Sequence, residues 1–303
     1  MRIFVTGATG FIGRALILEL ARCGHRVTAW VRDESRARTI LGTDVALASL
    51  SGHSGIREQI AQTDAVINLG GEPVFAGRWN ADRKRRIRTS RVDLTRELVE
   101  AIAAANPRPR VLISASAIGF YGGCGDRIVE DDGPPGDDFL AGVCRAWEAE
   151  ANRARTLGVR VFIPRVGIVF GAHGGALPKM VTPARFGAGG PLGSGRQYVP
   201  WIHLDDMVEM IVRALDDSRY EGAMIAAAPN PVTNRDLAKA IGRAIHRPSF
   251  MPVPAIALRL MLGESAAMLL DGQRVHPHRL EQAGFVWRYS TIESALTDLL
   301  RPR

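Results

Sequence analysis

Residues 2–13 read Arg2-Ile3-Phe4-Val5-Thr6-Gly7-Ala8-Thr9-Gly10-Phe11-Ile12-Gly13. A short β-prone run turns through three glycines into Phe11–Cys23, where apolar residues recur at helical spacing. In a strand–turn–helix of this kind the first glycine permits a tight turn and the second lets backbone approach a pyrophosphate. The third lets the helix pack closely on the strand. The helix N-terminus adds free N–H groups and the positive end of its dipole. Glycine-rich turns are common, and it is the placement between strand and helix that marks this one as a dinucleotide-binding turn. The expected contacts are Gly7, Thr9, Gly10, Phe11, Ile12 and Gly13.

Further strands are expected at Val27–Val31, Val45–Leu47, Ala65–Leu69, Val111–Ala115 and Val159–Pro164. Helices are expected near Gly55–Ala61, Asp82–Ala105 and Asp138–Leu157. Runs such as Val111-Leu112-Ile113 are apolar on both faces, as strands covered by helices on each side must be. Right-handed crossovers then give an α/β fold, a Rossmann-like doubly wound parallel sheet.

From Gly171 to Pro200 the chain carries glycines at 171, 174, 175, 187, 189, 190, 193 and 195. A stretch this long and glycine-rich reads as a functional or mobile loop. A helix follows at about Leu204–Leu215 and a short strand at Ala223–Ala227. The tail from Pro231 reads as mainly helical, broken by Pro248, Pro252 and Pro254. The expected organisation is a nucleotide-binding domain from 1–170 and 204–228. A smaller, mainly helical substrate-side domain is expected from 171–203 and 229–303.

The end of the second strand selects the dinucleotide. An NAD site wants Asp or Glu there for the ribose hydroxyls, and an NADP site wants arginine for the 2′-phosphate. Here Val31 stands in the acid position and Arg32 follows, with Arg36 and Arg38 close behind. Asp33 and Glu34 suit the first turn of the next helix, where the dipole favours acids. The expected cofactor is NADP(H).

At 303 residues, 46% hydrophobic and 23% charged, the chain has an ordinary globular composition. No apolar run approaches the ~18 residues of a membrane span, so no membrane partner is expected. Cys23, Cys124 and Cys144 form no paired motif, which fits a reducing compartment, and a cytoplasmic location is expected. The net charge of +8 is concentrated in residues 78–96. Arg78, Arg83, Lys84, Arg85, Arg86, Arg88, Arg91 and Arg96 stand there against Asp82 and Asp93. Without an aromatic platform or a recognised module, nucleic-acid binding is disfavoured. A solvated helix face or a subunit contact, which leaves a homodimer open, is the simpler reading.

Gly7–Gly13 with Gly24-His25-Arg26-Val27 and Arg32 resembles the extended and atypical short-chain dehydrogenase/reductases. Four segments resemble, more narrowly, an epimerase-named family. They are Asn68-Leu69-Gly70-Gly71-Glu72-Pro73, Ser114–Gly122, Gly189–Gln197 and Trp201–Asp206. The tail residues Pro229–Thr233 and Gly272–Val275 resemble that family's small C-terminal domain. Leu69, Gly70, Gly71, Ser114 and Arg165 complete the cofactor-binding set that the resemblance implies.

The superfamily's chemistry uses Ser, Tyr and Lys, the last two spaced Tyr-x-x-x-Lys. The four tyrosines here are followed at that spacing by Gly125, Ile202, Met224 and Glu293. With Glu148 as anchor, the missing pair maps onto Leu140 and Cys144. Ser116 resembles the superfamily's serine, with Ser114 the alternative. Tyr121 either reaches the same space as a proton donor or packs beside Phe120. Cys144 shares a helical stripe with Leu140, Val143, Trp147 and Ala151 and reads as a buried thiol. Arg165 and Arg196 suit either an anion clamp or a structural ion pair.

Two functions remain open. One is an NADP(H)-dependent oxidoreductase or epimerase acting on a small carbonyl or sugar-like substrate, with catalytic candidates Ser116, Ser114 and Tyr121. The other is a non-catalytic NADP(H) sensor acting through a protein partner. No metal site is expected.

Overall fold

The structure, a computed structural model, describes residues 1–49, 55–75 and 77–301. Its central sheet is built from β1 (Arg2–Thr6), β2 (Arg26–Val31), β3 (Ala46–Ser49), β4 (Ala65–Asn68), β5 (Val111–Ser114), β6 (Arg160–Val166) and β7 (Gly222–Ala226). They lie in the order β7-β6-β5-β4-β1-β2-β3, and every neighbouring pair is parallel. The order reverses beside β1, which places the crevice at the C-terminal ends of β1 and β4. Ser116–Ala117 extends the edge by pairing with Arg165 and Val166 of β6.

Both faces are covered, as the apolar strands require. On one face α1 (Phe11–Arg22) contributes Leu16, Ile17 and Leu20 to a core shared with Met207, Met210 and Ile211 of a later helix, Leu204–Asp216. On the other, Leu98, Val99 and Ile102 of the helix Ala81–Ala104 pack with Phe4, Val66 and Leu112. Chain order then gives α2 (Glu34–Leu41), α3 (Ile56–Ile60), α4 (Ala81–Ala104), α5 (Phe139–Asn152), α6 (Leu177–Arg185), α7 (Leu204–Asp216) and α8 (Asn234–Ala244). The expected helix Asp138–Leu157 divides into α5 and a tighter 3₁₀ turn over Arg153–Leu157.

The glycine-rich stretch is more ordered than its composition suggests. Ile168–Gly171 pairs antiparallel with Gly174–Gly175 and parallel with Trp201–His203, and α6 lies between. Proline and glycine hide these elements from a propensity reading, because Pro178 sits at the start of α6 and Pro183 inside it. A third apolar cluster joins Phe170, Leu177, Val181 and Trp201 to Leu237, Ile241, Ile292 and Leu296. Among the described residues no helix is long and apolar enough to cross a membrane.

Candidate functional site

The turn after β1 shows why glycine is needed. Gly7 has φ +72°, and a β-carbon there would stand 2.5 Å from the Leu69 carbonyl oxygen. A β-carbon on Gly13 would stand 2.2 Å from the Gly7 carbonyl oxygen, so side chains at either position would force backbone apart. Gly10 donates its N–H to the Gly7 carbonyl at 2.9 Å and caps α1 without a side chain. The opening turn of α1 therefore meets the crevice as bare backbone, a cradle that suits a pyrophosphate.

Phe11 belongs to this turn only through its backbone. β-Carbons on Gly171, Gly174 or Gly175 would come within 2.5–2.7 Å of its ring. The glycines of the hairpin thus leave room for the Phe11 ring, which ties α1 to the glycine-rich segment.

The loop after β4 is held from below. Thr6 donates its hydroxyl to Asn68 Oδ1 at 2.7 Å and accepts the Gly70 N–H at 3.1 Å. Asn68 Nδ2 donates to the Thr95 hydroxyl at 2.8 Å and to Ser114 Oγ at 3.2 Å. Ser114, only 1% exposed, is one of the anchors of Leu69, Gly70 and Gly71. Its hydroxyl oxygen is engaged by Asn68, which fits an anchoring role.

After β2, Asp33 caps α2 by accepting the Arg36 N–H at 2.9 Å, and Glu34 bonds the Ser49 hydroxyl. Arg38 donates to the carbonyls of Gly42, Thr43 and Val45, closing the far end of the helix. The acids are therefore occupied locally. Arg32 is exposed, and among the described residues the side chains of Arg32 and Arg36 have no hydrogen-bond or ion-pair partner.

The residues expected to do chemistry are tied into one buried network. Ser116 donates to Glu148 Oε1 at 2.6 Å. Arg165 grips the same carboxylate twice, Nε to Oε1 at 2.9 Å and Nη2 to Oε2 at 2.8 Å. Arg165 Nη1 donates to the Tyr121 hydroxyl and to the Asp131 carbonyl, each at 2.8 Å, and the Tyr121 hydroxyl donates to that carbonyl at 3.0 Å. The guanidinium also stacks on Phe120, 3.5 Å from the ring centre. The Asp131 carboxylate accepts the N–H groups of Ile225 at 2.6 Å and Arg279 at 2.9 Å, joining the sheet to the C-terminal segment.

This arrangement argues against two of the expected roles. Tyr121 is 2% exposed, and burial pushes its hydroxyl above the usual range for tyrosine although Arg165 pulls the other way. It packs edge-on against Phe120, 5.3 Å between ring centres, in line with the packing reading of this residue. Arg165 forms a buried ion pair with Glu148, in line with the structural reading of this arginine. Burial opposes its charge, but Glu148 holds the guanidinium firmly protonated. Ser116 remains at the C-terminal edge of β5, but its proton is committed to Glu148. No sequence signal marks Asp131 or Glu148 as the centre of such a network; the partners are brought together only by the fold.

Cys144 is 4% exposed, with its thiol turned to the Ala117 carbonyl at 3.8 Å, and burial pushes it up to about 11. Arg196 is exposed. At the start of α7 the cap is the His203 ring, which accepts the Asp205 N–H at 3.1 Å. Asp206 instead accepts the N–H groups of Arg288 and Tyr289, fixing the tail. Much of the basic segment is paired within the fold: Arg83 with Glu72, Lys84 with Glu264, Arg85 with Asp82, and Arg96 with Asp93 and Glu150.

The chain is similar to known proteins along nearly its whole length. The profile described as "NAD dependent epimerase/dehydratase family" matches residues 3–225, and a domain of unknown function, DUF1731, matches residues 253–299. The chain is 39% identical over 304 aligned positions to an Arabidopsis thaliana protein named epimerase family protein SDR39U1 homolog, chloroplastic, covering 99% of this chain and 87% of that one. It is 36% identical to the Bacillus subtilis epimerase family protein YfhF, covering 100% and 99%. The crystal structure of human epimerase family protein SDR39U1 (isoform 2) with NADPH superposes with a TM-score of 0.88 at 32% identity, covering 99% of each chain. A UDP-N-acetylglucosamine 4-epimerase from Bacillus cereus, at 17% identity and a TM-score of 0.77, shares the fold. On this evidence the chain belongs to the NAD dependent epimerase/dehydratase family.

Proposed function

We propose that this protein is an NADP(H)-dependent oxidoreductase acting on a small carbonyl or sugar-like substrate without a Tyr-x-x-x-Lys pair. The observation that carries the reading is the unpartnered Arg32–Arg36 pair beside an intact glycine cradle. An exposed arginine at the end of β2 suits a 2′-phosphate, whereas Val31 has nothing to offer a ribose hydroxyl. The human relative crystallised with NADPH supports the same cofactor.

When bound, the nicotinamide supplies or accepts hydride. The chain's own residues bind and orient. The opening turn of α1 holds the pyrophosphate through backbone N–H groups, and the Thr6–Asn68 anchor fixes the loop beside it. No tyrosine is followed four residues later by a lysine, and no lysine lies between Lys84 and Lys179, so the superfamily's lysine-tuned tyrosine has no counterpart at that spacing. Orientation carries the rate, and the proton is exchanged with solvent or with the substrate's own groups.

A second reading, an NADP(H) sensor, is favoured by one observation. Ser116, which resembles the superfamily's serine, and Tyr121, the nearby candidate proton donor, both donate into the buried network. Single-turnover oxidation of bound NADPH by a panel of small aldehydes, ketones and quinones separates the two. Oxidation by any member supports the oxidoreductase, binding with no oxidation supports the sensor, and failure to bind NADPH overturns both.

A further inference from the structure

Arg91 counts in the sequence as one more charge on a basic helix, yet its surroundings differ from those of its neighbours. It lies on α4 facing the loop that follows β4. Its guanidinium carbon would be 2.9 Å from a β-carbon on Gly71, so the bare backbone of Gly71 makes room for it. On the other side it stacks over Trp147 of α5 at 5.4 Å. Nη1 donates to the carbonyls of Glu72 and Ile87, each at 3.1 Å, which fixes the group against the loop.

The remaining edge is free. Nε and Nη2 have no hydrogen-bond or ion-pair partner among the described residues. The neighbouring carboxylate, Glu72, is committed to Arg83 at 3.0 Å. Burial pulls the Arg91 guanidinium below its ordinary range, with Cys144 and Glu72 the groups that oppose this. A half-buried cation held without a carboxylate is costly, and such groups collect where a ligand completes them. The position also matters. Arg91 lies against the loop that follows β4, at the C-terminal edge of the sheet, and its stacking partner Trp147 is on α5, the helix that carries Cys144, the position to which the missing lysine maps.

We infer that the free edge of Arg91 binds the anionic group of the substrate, a carboxylate or a phosphate, beside the cofactor. A guanidinium edge pairs with either group through two parallel N–H bonds, and a lysine cannot reproduce that geometry. The inference rests on the NADP(H)-dependent reading above and narrows its substrate to an anionic carbonyl compound.

The experiment uses the full chain loaded with NADPH, titrated with oxalate and, separately, with inorganic phosphate at constant ionic strength. Bound-cofactor fluorescence and thermal midpoint are the two readouts. Arg91→Met is expected to weaken anion binding about ten-fold or more, Arg91→Lys to lose part of it, and both to keep NADPH affinity within about two-fold. Tighter binding of oxalate points to a carboxylate substrate, and tighter binding of phosphate to a phosphorylated one. Arg88→Met, an exposed site on the same helix, controls for net charge and is expected to change nothing. Anion binding unchanged in folded Arg91→Met, or a loss of NADPH affinity in its place, would overturn the inference. Failure of the wild-type chain to bind NADPH removes the functional reading alone, since wild type and Arg91→Met are still compared by the thermal midpoint of the free chain.

Discussion

Ser116 gives its hydroxyl proton to Glu148 across 2.6 Å, and that carboxylate is the one Arg165 grips through two N–H groups. Both partners of the ion pair are nearly sealed from water, with side chains 7% and 8% exposed. Breaking a buried pair leaves an uncompensated charge, so Glu148→Ala should cost about 3–5 kcal/mol. Ser116→Ala removes one hydrogen bond to a charged group and should cost about 1.5–3 kcal/mol, and Tyr121→Phe about 1–2 kcal/mol. Urea unfolding measures all three, with NADPH affinity expected to stay level. If Ser116→Ala leaves stability untouched and lowers turnover, the hydroxyl serves the substrate and the structural reading is wrong.

Arg32→Ala should weaken NADPH binding roughly ten-fold or more and leave NADH almost unchanged, since a charge-assisted contact is worth about 1.5–3 kcal/mol. Fluorescence titration with both cofactors is the measurement. Equal losses for the two would place the arginine away from the 2′-phosphate.

What the sequence reveals about this molecule follows from how local each feature is. The β1–turn–α1 unit is legible because its strand, glycines and amphipathic helix are contiguous. The identity of the end of β2 is legible for the same reason: Asp33 does cap α2 and leaves Arg32 free. The hairpin around Phe11 is not legible, since its glycines are explained by a ring some 160 residues away in the chain. Ser116 and Tyr121 show the other limit. Their residue types suit acid–base chemistry, yet the bonds that commit them come from Glu148, Arg165 and Asp131, which only the fold assembles.

Two glycines in one turn should fail differently. At Gly13 a β-carbon would stand 2.2 Å from backbone, so Gly13→Ala should lower the thermal midpoint by several degrees before any ligand is added. At Gly10 the nearest atom is 3.0 Å away, a tight but tolerable approach. Gly10→Val should therefore fold and lose NADPH, because the side chain occupies the space where a pyrophosphate meets the backbone. Circular dichroism with an NADPH titration separates the cases, and retained affinity in folded Gly10→Val would make the turn purely structural.

The three cysteines should react in order of access. Cys23 is exposed, Cys124 is intermediate and Cys144 is buried. Burial raises all three thiols, and Cys144 is pushed up to about 11. The thiolate is the reactive form, so at pH 8 iodoacetamide should label Cys23 first, Cys124 next, and Cys144 only once the chain unfolds. The same shift sets a pH dependence. An unfolded thiol titrates near ~8.5, and the folded one near the higher value, so between them the native state holds a proton that the unfolded state has lost. Stability from this group is complete below about 8.5 and is lost as pH rises through about 11. Cys144→Ala should therefore lower stability at neutral pH through lost packing and flatten its decline above pH 9. Fast labelling of Cys144 in the native protein at pH 8 would mean that the thiol opens to the crevice and that its place in the α5 core is wrong.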